Sequence, residues 1–255
     1  MSPRTPTKWR HHQAERALER QLQYQQKKAK AISGRESELM EHMRRASARV
    51  RRMFEKYQPI DSNSAVIEIG SGAHGLIFFF GDEQSVGVDP LAVSYRSLFP
   101  AWQTRVPTVA AFGELLPFRD ETFNFVLCDN VVDHAESPAG IVNELVRILK
   151  IDGLLYFTVN IHHPIYSVAA HAHSTWNALG VNYEIGPFAD HTTHLTLHGA
   201  RTLFAGLPLQ MLQESSNISE TKAKARTRPA RHMGDSLKRV FFKNALYEIV
   251  ARRTA

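Results

Sequence analysis

Glycines and carboxylates at the ends of two apolar segments are the residues whose spacing points most directly to chemistry. The first segment contains Glu68 and runs into Gly70, Gly72 and Gly75. The second ends at Asp89, 19 residues after Gly70. Glycines at such a turn allow the backbone to approach a ligand closely, and a carboxylate at that distance reaches ribose hydroxyls. The pattern predicts a nucleotide-binding pocket.

Glu68 helps to choose between two cofactors that this pattern fits. The three glycines also spell GxGxxG, which is typical of dinucleotide-binding proteins and is a weak signal alone. A carboxylate two residues before the turn would repel a diphosphate and weaken the attraction of a helix N-terminus for it. S-adenosylmethionine instead carries a sulfonium and an ammonium, which a carboxylate attracts. The sequence therefore favours this cofactor over a nicotinamide dinucleotide.

Four further motifs follow in order, and they make the signal more specific. They are GELLPF at 113–118, FNFVL at 123–127, VVDH at 131–134 and NELVRILKIDG at 143–153. Together with the first two motifs, they resemble the class I S-adenosylmethionine-dependent methyltransferases of the small-molecule type, with a methyltransferase type 11-like domain. The resemblance is close over roughly residues 60–160 and loose over the remainder.

The resemblance implies a set of cofactor-binding residues along these motifs. Carboxylates and the glycine turn hold the ribose and the methionine part, the segment around GELLPF faces the adenine, and the end of the fourth strand faces the methionine part and the substrate entrance. The predicted cofactor residues are Glu68, Gly70, Ser71, Gly72, Asp89, Glu114, Leu115, Asp129 and Asn130.

The sequence departs from the family pattern at two positions beside the cofactor. His74 stands where a third glycine is usual, and Phe112 stands where an acidic residue often meets the adenine amino group. Phe112 could line the adenine ring instead, with Glu114 and the backbone around Leu115 contacting its amino group. These departures keep a second hypothesis open, in which the chain binds the cofactor without catalysis.

Histidines supply the candidate catalytic and substrate residues. His134 has an unperturbed pKa near the working pH and is the predicted general base, with simple packing as the alternative. His162 and His163 follow the fifth predicted strand and are predicted substrate contacts. A metal site requires three or four converging ligands, and we predict none. The histidines considered for such a site were His162, His163, His171, His173, His191, His194 and His198.

Hydrophobic periodicity predicts an α/β fold: a Rossmann-like, seven-stranded, mostly parallel sheet with helices on both faces, preceded by N-terminal helices. The predicted strands are 64–69, 85–88, 108–112, 123–129, 154–160, 209–214 and 245–251. The predicted helices are 9–32, 39–57, 91–98, 138–150 and 197–205. Residues 1–60 form a basic helical arm and residues 61–255 the methyltransferase domain. Within that domain, 161–193 is a predicted substrate cap and 219–231 a predicted mobile basic loop.

Charge is distributed unevenly along the 255 residues, whose formal net charge is +6. Residues 1–60 hold 15 Lys and Arg against 6 Asp and Glu, residues 61–219 hold 6 against 16, and residues 220–255 hold 10 against 3. An acidic core suits a cationic cofactor. The basic flanks either attract an anionic partner such as RNA or are ordinary solvated helix faces, and the second interpretation is preferred.

Several function classes are disfavoured by composition. No apolar run of about 18 residues exists, and the N-terminus lacks an apolar signal region, so we expect no transmembrane segment and no signal peptide. The single Cys128 suggests a reducing compartment, with the cytoplasm as the default. The expected reaction is methyl transfer to an oxygen or nitrogen of a small metabolite. An RNA- or translation-associated methyltransferase recruited by the basic arms is the alternative.

Overall fold

The computed structural model describes residues 8–32, 35–81, 84–166, 195–227 and 240–255, without the side chains of residues 8–17, 32 and 134. Seven strands form one sheet in the order β3-β2-β1-β4-β5-β7-β6. Strands β1, β2 and β3 pair in parallel, β4 pairs in parallel with β5, and β7 runs antiparallel to both β5 and β6. Their bounds are β1 Ala65–Ile69, β2 Gln84–Val88, β3 Thr108–Val109, β4 Phe123–Asp129, β5 Leu149–Ile161, β6 Leu209–Ser216 and β7 Ala245–Arg253. The predicted α/β sheet is confirmed.

The chain divides into two compact units, and the first is Met1–Pro117. Its helices are α1 Lys8–Ile32, α2 Glu36–Glu55, α3 Ala92–Leu98 and α4 Pro100–Gln103, with a 3-10 turn at Leu76–Phe79. Helix α2 buries Val50, Met53 and Phe54, which lie on one face of the helix. On the same helix, the Ser47 hydroxyl donates to the Leu76 carbonyl over 2.9 Å. Helix α2 therefore supports the segment that follows β1.

The second unit, Phe118–Ala255, contains α5 Pro138–Ile148, α6 Leu197–Thr202 and α7 Ile218–Thr227. Helix α5 begins where sequence signals place it: Pro138 occupies the first turn, and the Ser137 hydroxyl accepts a hydrogen bond from the Gly140 N–H. Its apolar side chains are buried, as are most residues of β4 and β5. These two strands form the centre of the unit's core.

Three element predictions need correction. The fifth strand begins at Leu149 rather than at 154, and its pairing with β4 is irregular between Leu149 and Leu154, where Asp152 has a positive φ of 65°. The third strand has two residues instead of five. The predicted mobile loop at 219–231 is wrong, since α7 covers Ile218–Thr227. Lys, Glu, Arg and Ala in this segment are good helix formers.

Two parts of the predicted organisation fall partly outside the described residues. These are residues 167–194, which make up most of the predicted substrate cap, and residues 228–231 at the end of the predicted loop. Within the described part of the chain, no helix is both long and apolar enough to cross a membrane.

Candidate cofactor site

The loop after β1 has the backbone shape that the glycine pattern predicts. Gly70 and Gly72 have positive φ values of 73° and 56°. Residues other than glycine rarely adopt this backbone conformation. The N–H groups of Gly70 and Ser71 both donate to the Val88 carbonyl, over 2.8 and 3.0 Å. A Cβ atom built on Gly72 would meet only the Gly70 carbonyl oxygen, at 3.9 Å. The loop is thus fixed to β2 and leaves open space beside Gly72.

Asp89 connects this loop to the end of β2. Its Oδ2 accepts a hydrogen bond from the Gly72 N–H over 3.1 Å, and its Oδ1 accepts one from the Leu91 N–H over 2.8 Å. Burial raises the pKa of the Asp89 carboxyl, while the two backbone hydrogen bonds act in the opposite direction. A carboxylate has about four acceptor positions, so each oxygen can accept one more hydrogen bond. Asp89 is therefore suited to bind a vicinal diol.

Glu68 lies beneath the loop and is 1% exposed. Its Oε1 accepts from the Leu76 N–H over 3.3 Å, and its Oε2 accepts from the Ile77 N–H over 2.9 Å. These N–H groups begin the 3-10 turn, where an anion such as a pyrophosphate would otherwise bind. A Cβ on Gly75 would lie 2.4 Å from the Glu68 carboxylate. The protein's own carboxylate thus occupies the donors that a dinucleotide would need.

Gln103, at the end of α4, also fixes the loop and was missed by the sequence reasoning. Its side-chain Nε2 donates to the carbonyls of Gly72 and Ala73 over 3.1 and 3.3 Å. The loop also contains the predicted cofactor residue Ser71, whose buried hydroxyl has no hydrogen-bond partner among the described residues. The short helix of α4 carries no motif, so only its proximity to the loop reveals Gln103.

The departure at His74 has a structural explanation. Its ring packs edge-on against Phe99 and Trp102, with centroid distances of 4.5 and 4.6 Å. Burial, assisted by the positive charge of Lys28, lowers the pKa of His74 to about 4. The imidazole is therefore neutral at pH 7 and acts as a packing residue. The ring does not obstruct Gly72, because a Cβ atom built there would meet only the Gly70 carbonyl oxygen.

This assignment predicts how stability depends on pH. The unfolded chain binds a proton at His74 near pH 6.5, but the folded chain binds it only near pH 4, so protonation favours unfolding as the pH falls. We expect His74 to account for a loss of about 1–2 kcal/mol between pH 7 and pH 5, reduced from the full shift because the ring is partly exposed. Urea unfolding of His74→Phe, which keeps the ring packing, should show a correspondingly smaller loss.

The matched control for this prediction is His198→Asn, because His198 is exposed on α6. Its unfolding free energy should change with pH as that of the wild type does. An unchanged pH dependence in His74→Phe would show that His74 is not held neutral by the fold.

The predicted adenine residues form an exposed turn in the first unit. Phe112 is 51% exposed and Leu115 is 80% exposed. The Leu115 N–H donates to the Phe112 carbonyl over 3.2 Å, so it already has an intrachain partner. Glu114 is half-buried beside them. The apolar side chains, rather than the Leu115 N–H, are the groups that this turn offers to an adenine ring.

In the second unit, Asp129 and Asn130 end β4 and are held by β5. The Thr158 hydroxyl donates to Asp129 Oδ1, and the Asn130 N–H donates to the Thr158 carbonyl over 3.1 Å. The Asn160 N–H donates to Asn130 Oδ1, also over 3.1 Å. Asn130 has a positive φ of 57°, which asparagine tolerates better than most residues. Thr158 and Asn160 are positioning residues that the motifs did not reveal.

The predicted substrate histidines both make structural contacts. His162 is fully buried, and its Nδ1 accepts from the Asn244 N–H over 3.3 Å. His163 Nδ1 accepts from the Ile165 N–H over 3.3 Å, and its ring packs on Phe241. Any substrate contact of either ring would therefore use Nε2.

The backbone of the predicted base, His134, ends a 3-10 turn at Val132–His134, but its side chain lies outside the described part of the structure. Among the histidines considered for a metal site, His171, His173, His191 and His194 also lie outside it. Within it, no three His, Cys, Asp or Glu side chains are grouped as metal ligands.

Comparison with known proteins identifies methyltransferases among the similar sequences. Residues 67–157 match the family model described as a methyltransferase domain. An uncharacterized methyltransferase of Mycobacterium leprae is 29% identical over 144 residues, which are 53% of this chain and 44% of that protein. The chain spans less than half the length of the curated relatives it matches.

Solved structures show the same fold at low sequence identity. The geranyl diphosphate C-methyltransferase of Streptomyces coelicolor superposes with a TM-score of 0.58 and 14% identity, covering 82% of this chain and 78% of that one. The YcgJ protein of Bacillus subtilis superposes with a TM-score of 0.54 and 19% identity, covering 80% and 98%. Residues 67–157 thus match a methyltransferase domain, and the chain has the fold of these solved structures.

Proposed function

We propose that this protein is an S-adenosylmethionine-dependent methyltransferase that methylates an oxygen or nitrogen of a small metabolite. One observation carries the choice of cofactor: Glu68 accepts the N–H groups of Leu76 and Ile77, while Asp89 keeps acceptor positions for a ribose. A diphosphate would find its donors occupied and a buried carboxylate beneath it. A cofactor with a ribose and positive charges is complementary to both groups.

The residues assigned to the cofactor are those of the glycine loop, of the strand ends and of the turn that contains Glu114 and Leu115. The buried Ser71 hydroxyl without a described partner and the open space beside Gly72 also fit a ligand at this loop. Bound S-adenosylmethionine would supply an activated methyl group. The proposed cofactor residues are Glu68, Gly70, Ser71, Gly72, Asp89, Glu114, Leu115, Asp129 and Asn130.

The chain's own part in the reaction is to orient the acceptor and to move a proton. His134 is proposed as the base that deprotonates the methyl acceptor. His162 and His163 are proposed to contact that substrate through Nε2. Enzymes that methylate nucleobases or glutamine amides typically carry an Asn- or Asp-Pro-Pro-Tyr signature after the fourth strand. Asp129 and Asn130 are followed here by two valines. A small-metabolite acceptor is therefore favoured over a nucleobase.

The test supplies S-adenosylmethionine with a deuterated methyl group, together with a metabolite extract or total RNA. Mass spectrometry then follows S-adenosylhomocysteine and labelled products. We expect both S-adenosylhomocysteine and a labelled small molecule, and neither with Asp89→Asn. Label found only in RNA would contradict the proposed acceptor class. Cofactor binding without any labelled product would contradict catalysis.

A further inference from the structure

Helix α1 packs on the first unit through a face that contains polar residues as well as Leu22 and Ala29. Gln21, Gln25 and Lys28 are spaced by four and three residues, which places them on one side of the helix. Gln25 is 7% exposed, and the Gln21 side chain forms a hydrogen bond with the Tyr95 hydroxyl. Tyr95 lies close enough to Asp89 for that carboxylate to raise the tyrosine pKa. Helix α1 thus lies beside the carboxylate that ends β2.

Lys28 brings a positive charge to the glycine loop. Burial lowers the pKa of its ammonium, and its charge contributes to the lowered pKa of His74. No ion pair or side-chain hydrogen bond of Lys28 is found among the described residues. A partly buried ammonium without a counter-charge is unfavourable, because its lost hydration is not replaced.

Other polar atoms of α1 and of the glycine loop also lack partners among the described residues. Gln25 Oε1, Ser71 Oγ and His74 Nε2 are buried and have no hydrogen bond with any described residue. Buried polar atoms in native proteins are nearly always hydrogen-bonded. A single residue of this kind is ordinary, but here the unsatisfied atoms and the unpaired cation come from one helix face and the loop near it. Together, these polar atoms and the ammonium of Lys28 are complementary to a polar ligand that carries a negative charge.

We propose that Lys28 binds the carboxylate at the amino-acid end of S-adenosylmethionine, so that α1 completes the cofactor pocket. This inference rests on the proposed function, because it takes its ligand from there. The cofactor has one carboxylate, at its amino-acid end, and Asp89 is assigned to the ribose, which lies between the sulfonium and the adenine. The negative charge of Glu68 below the loop and the positive charge of Lys28 then match the opposite charges of the amino-acid end.

The experiment compares two ligands that differ only in that carboxylate: S-adenosylmethionine and decarboxylated S-adenosylmethionine. Their affinities are measured by calorimetry on the full chain, for the wild type, Lys28→Met and Lys28→Arg. We expect Lys28→Met to lower the affinity for S-adenosylmethionine by about tenfold to a hundredfold, the usual effect of losing a charge-assisted hydrogen bond. The affinity for the decarboxylated compound should stay unchanged, and Lys28→Arg should bind S-adenosylmethionine better than Lys28→Met does.

The matched control is Lys30→Met, since Lys30 is on the same helix but exposed. It should leave both affinities unchanged. An equal loss of affinity for both ligands in Lys28→Met would overturn the inference. It would mean that Lys28 stabilises the fold and does not bind the carboxylate. Unchanged binding of S-adenosylmethionine by Lys28→Met would overturn it as well. A wild type that binds neither ligand would overturn the proposed function itself.

Discussion

Replacing Asp89 with asparagine is expected to lower the affinity for S-adenosylmethionine by at least about a hundredfold. The carboxylate accepts the N–H groups of Gly72 and Leu91 and is assigned two ribose hydroxyls in addition. An asparagine amide turns one acceptor oxygen into a donor, which then faces either a backbone N–H or a hydroxyl. The loss of two hydrogen bonds to a charged group, at about 1.5 kcal/mol or more each, gives this factor.

Titration calorimetry measures this effect, with Asp120→Asn as the matched control. Asp120 is exposed and forms an ion pair with Arg147 in the second unit, so its substitution should leave cofactor affinity unchanged. Asp89→Asn should remain folded, since the two strands around the loop keep their backbone hydrogen bonds. Wild-type affinity in folded Asp89→Asn would remove Asp89 from the cofactor site.

A methyl group on Gly72 should also weaken cofactor binding strongly, with only a modest effect on folding. The added Cβ would enter the open space beside the loop, where we place the ligand, and it would meet only the Gly70 carbonyl. The positive φ of 56° costs about 1 kcal/mol for alanine. We therefore expect Gly72→Ala to unfold at slightly lower urea concentration and to bind S-adenosylmethionine at least about a hundredfold more weakly, because the Cβ excludes the ligand.

The chain offers a close control in Gly206, which follows α6. Its φ is 77°, and a Cβ there would meet nothing within 4 Å. Gly206→Ala thus carries the same kind of backbone strain without a ligand nearby, and it should lose comparable stability but no affinity. If both variants bound the cofactor equally well, the space beside Gly72 would not be the cofactor pocket.

Most strands and the glycine loop can be predicted from the sequence because their signals are local. Strand β4 was predicted with its exact bounds, since it is a continuous apolar segment that ends in polar residues. Gly70, Gly72 and Asp89 can be predicted because a tight turn requires glycine and the carboxylate follows it at a characteristic spacing. Such a motif specifies the residue type as well as its position.

The missing features depend on contacts between residues distant in sequence. Gln103 holds carbonyls about 30 residues away, and nothing in the short helix α4 announces that contact. Thr158 and Asn160 act on the end of β4 across a strand pair. The role of Glu68 was predicted by charge alone, whereas the structure adds its hydrogen bonds to Leu76 and Ile77. Each of these hydrogen bonds depends on the direction in which a side chain points. Hydrophobic periodicity carries no information about that direction.

The packing of helix α1 was also difficult to predict from its sequence. Its sparse apolar residues suggested a solvated arm, because amphipathic patterns identify packed helices by their apolar stripe. Its packed face contains Gln25 and Lys28 beside Leu22 and Ala29, so the apolar stripe is interrupted and that criterion could not detect it. Likewise, the many polar residues of 219–231 suggested a loop, although Ile218–Thr227 is helical.

The central claim is that the glycine loop serves a sulfonium cofactor rather than a dinucleotide. The most direct measurement is calorimetric titration of the full chain with S-adenosylmethionine and, separately, with NAD. The arrangement of Glu68, Leu76 and Ile77 predicts saturable binding of S-adenosylmethionine at one site per chain and no detectable binding of NAD. Saturable binding of NAD, with none of S-adenosylmethionine, would contradict the account.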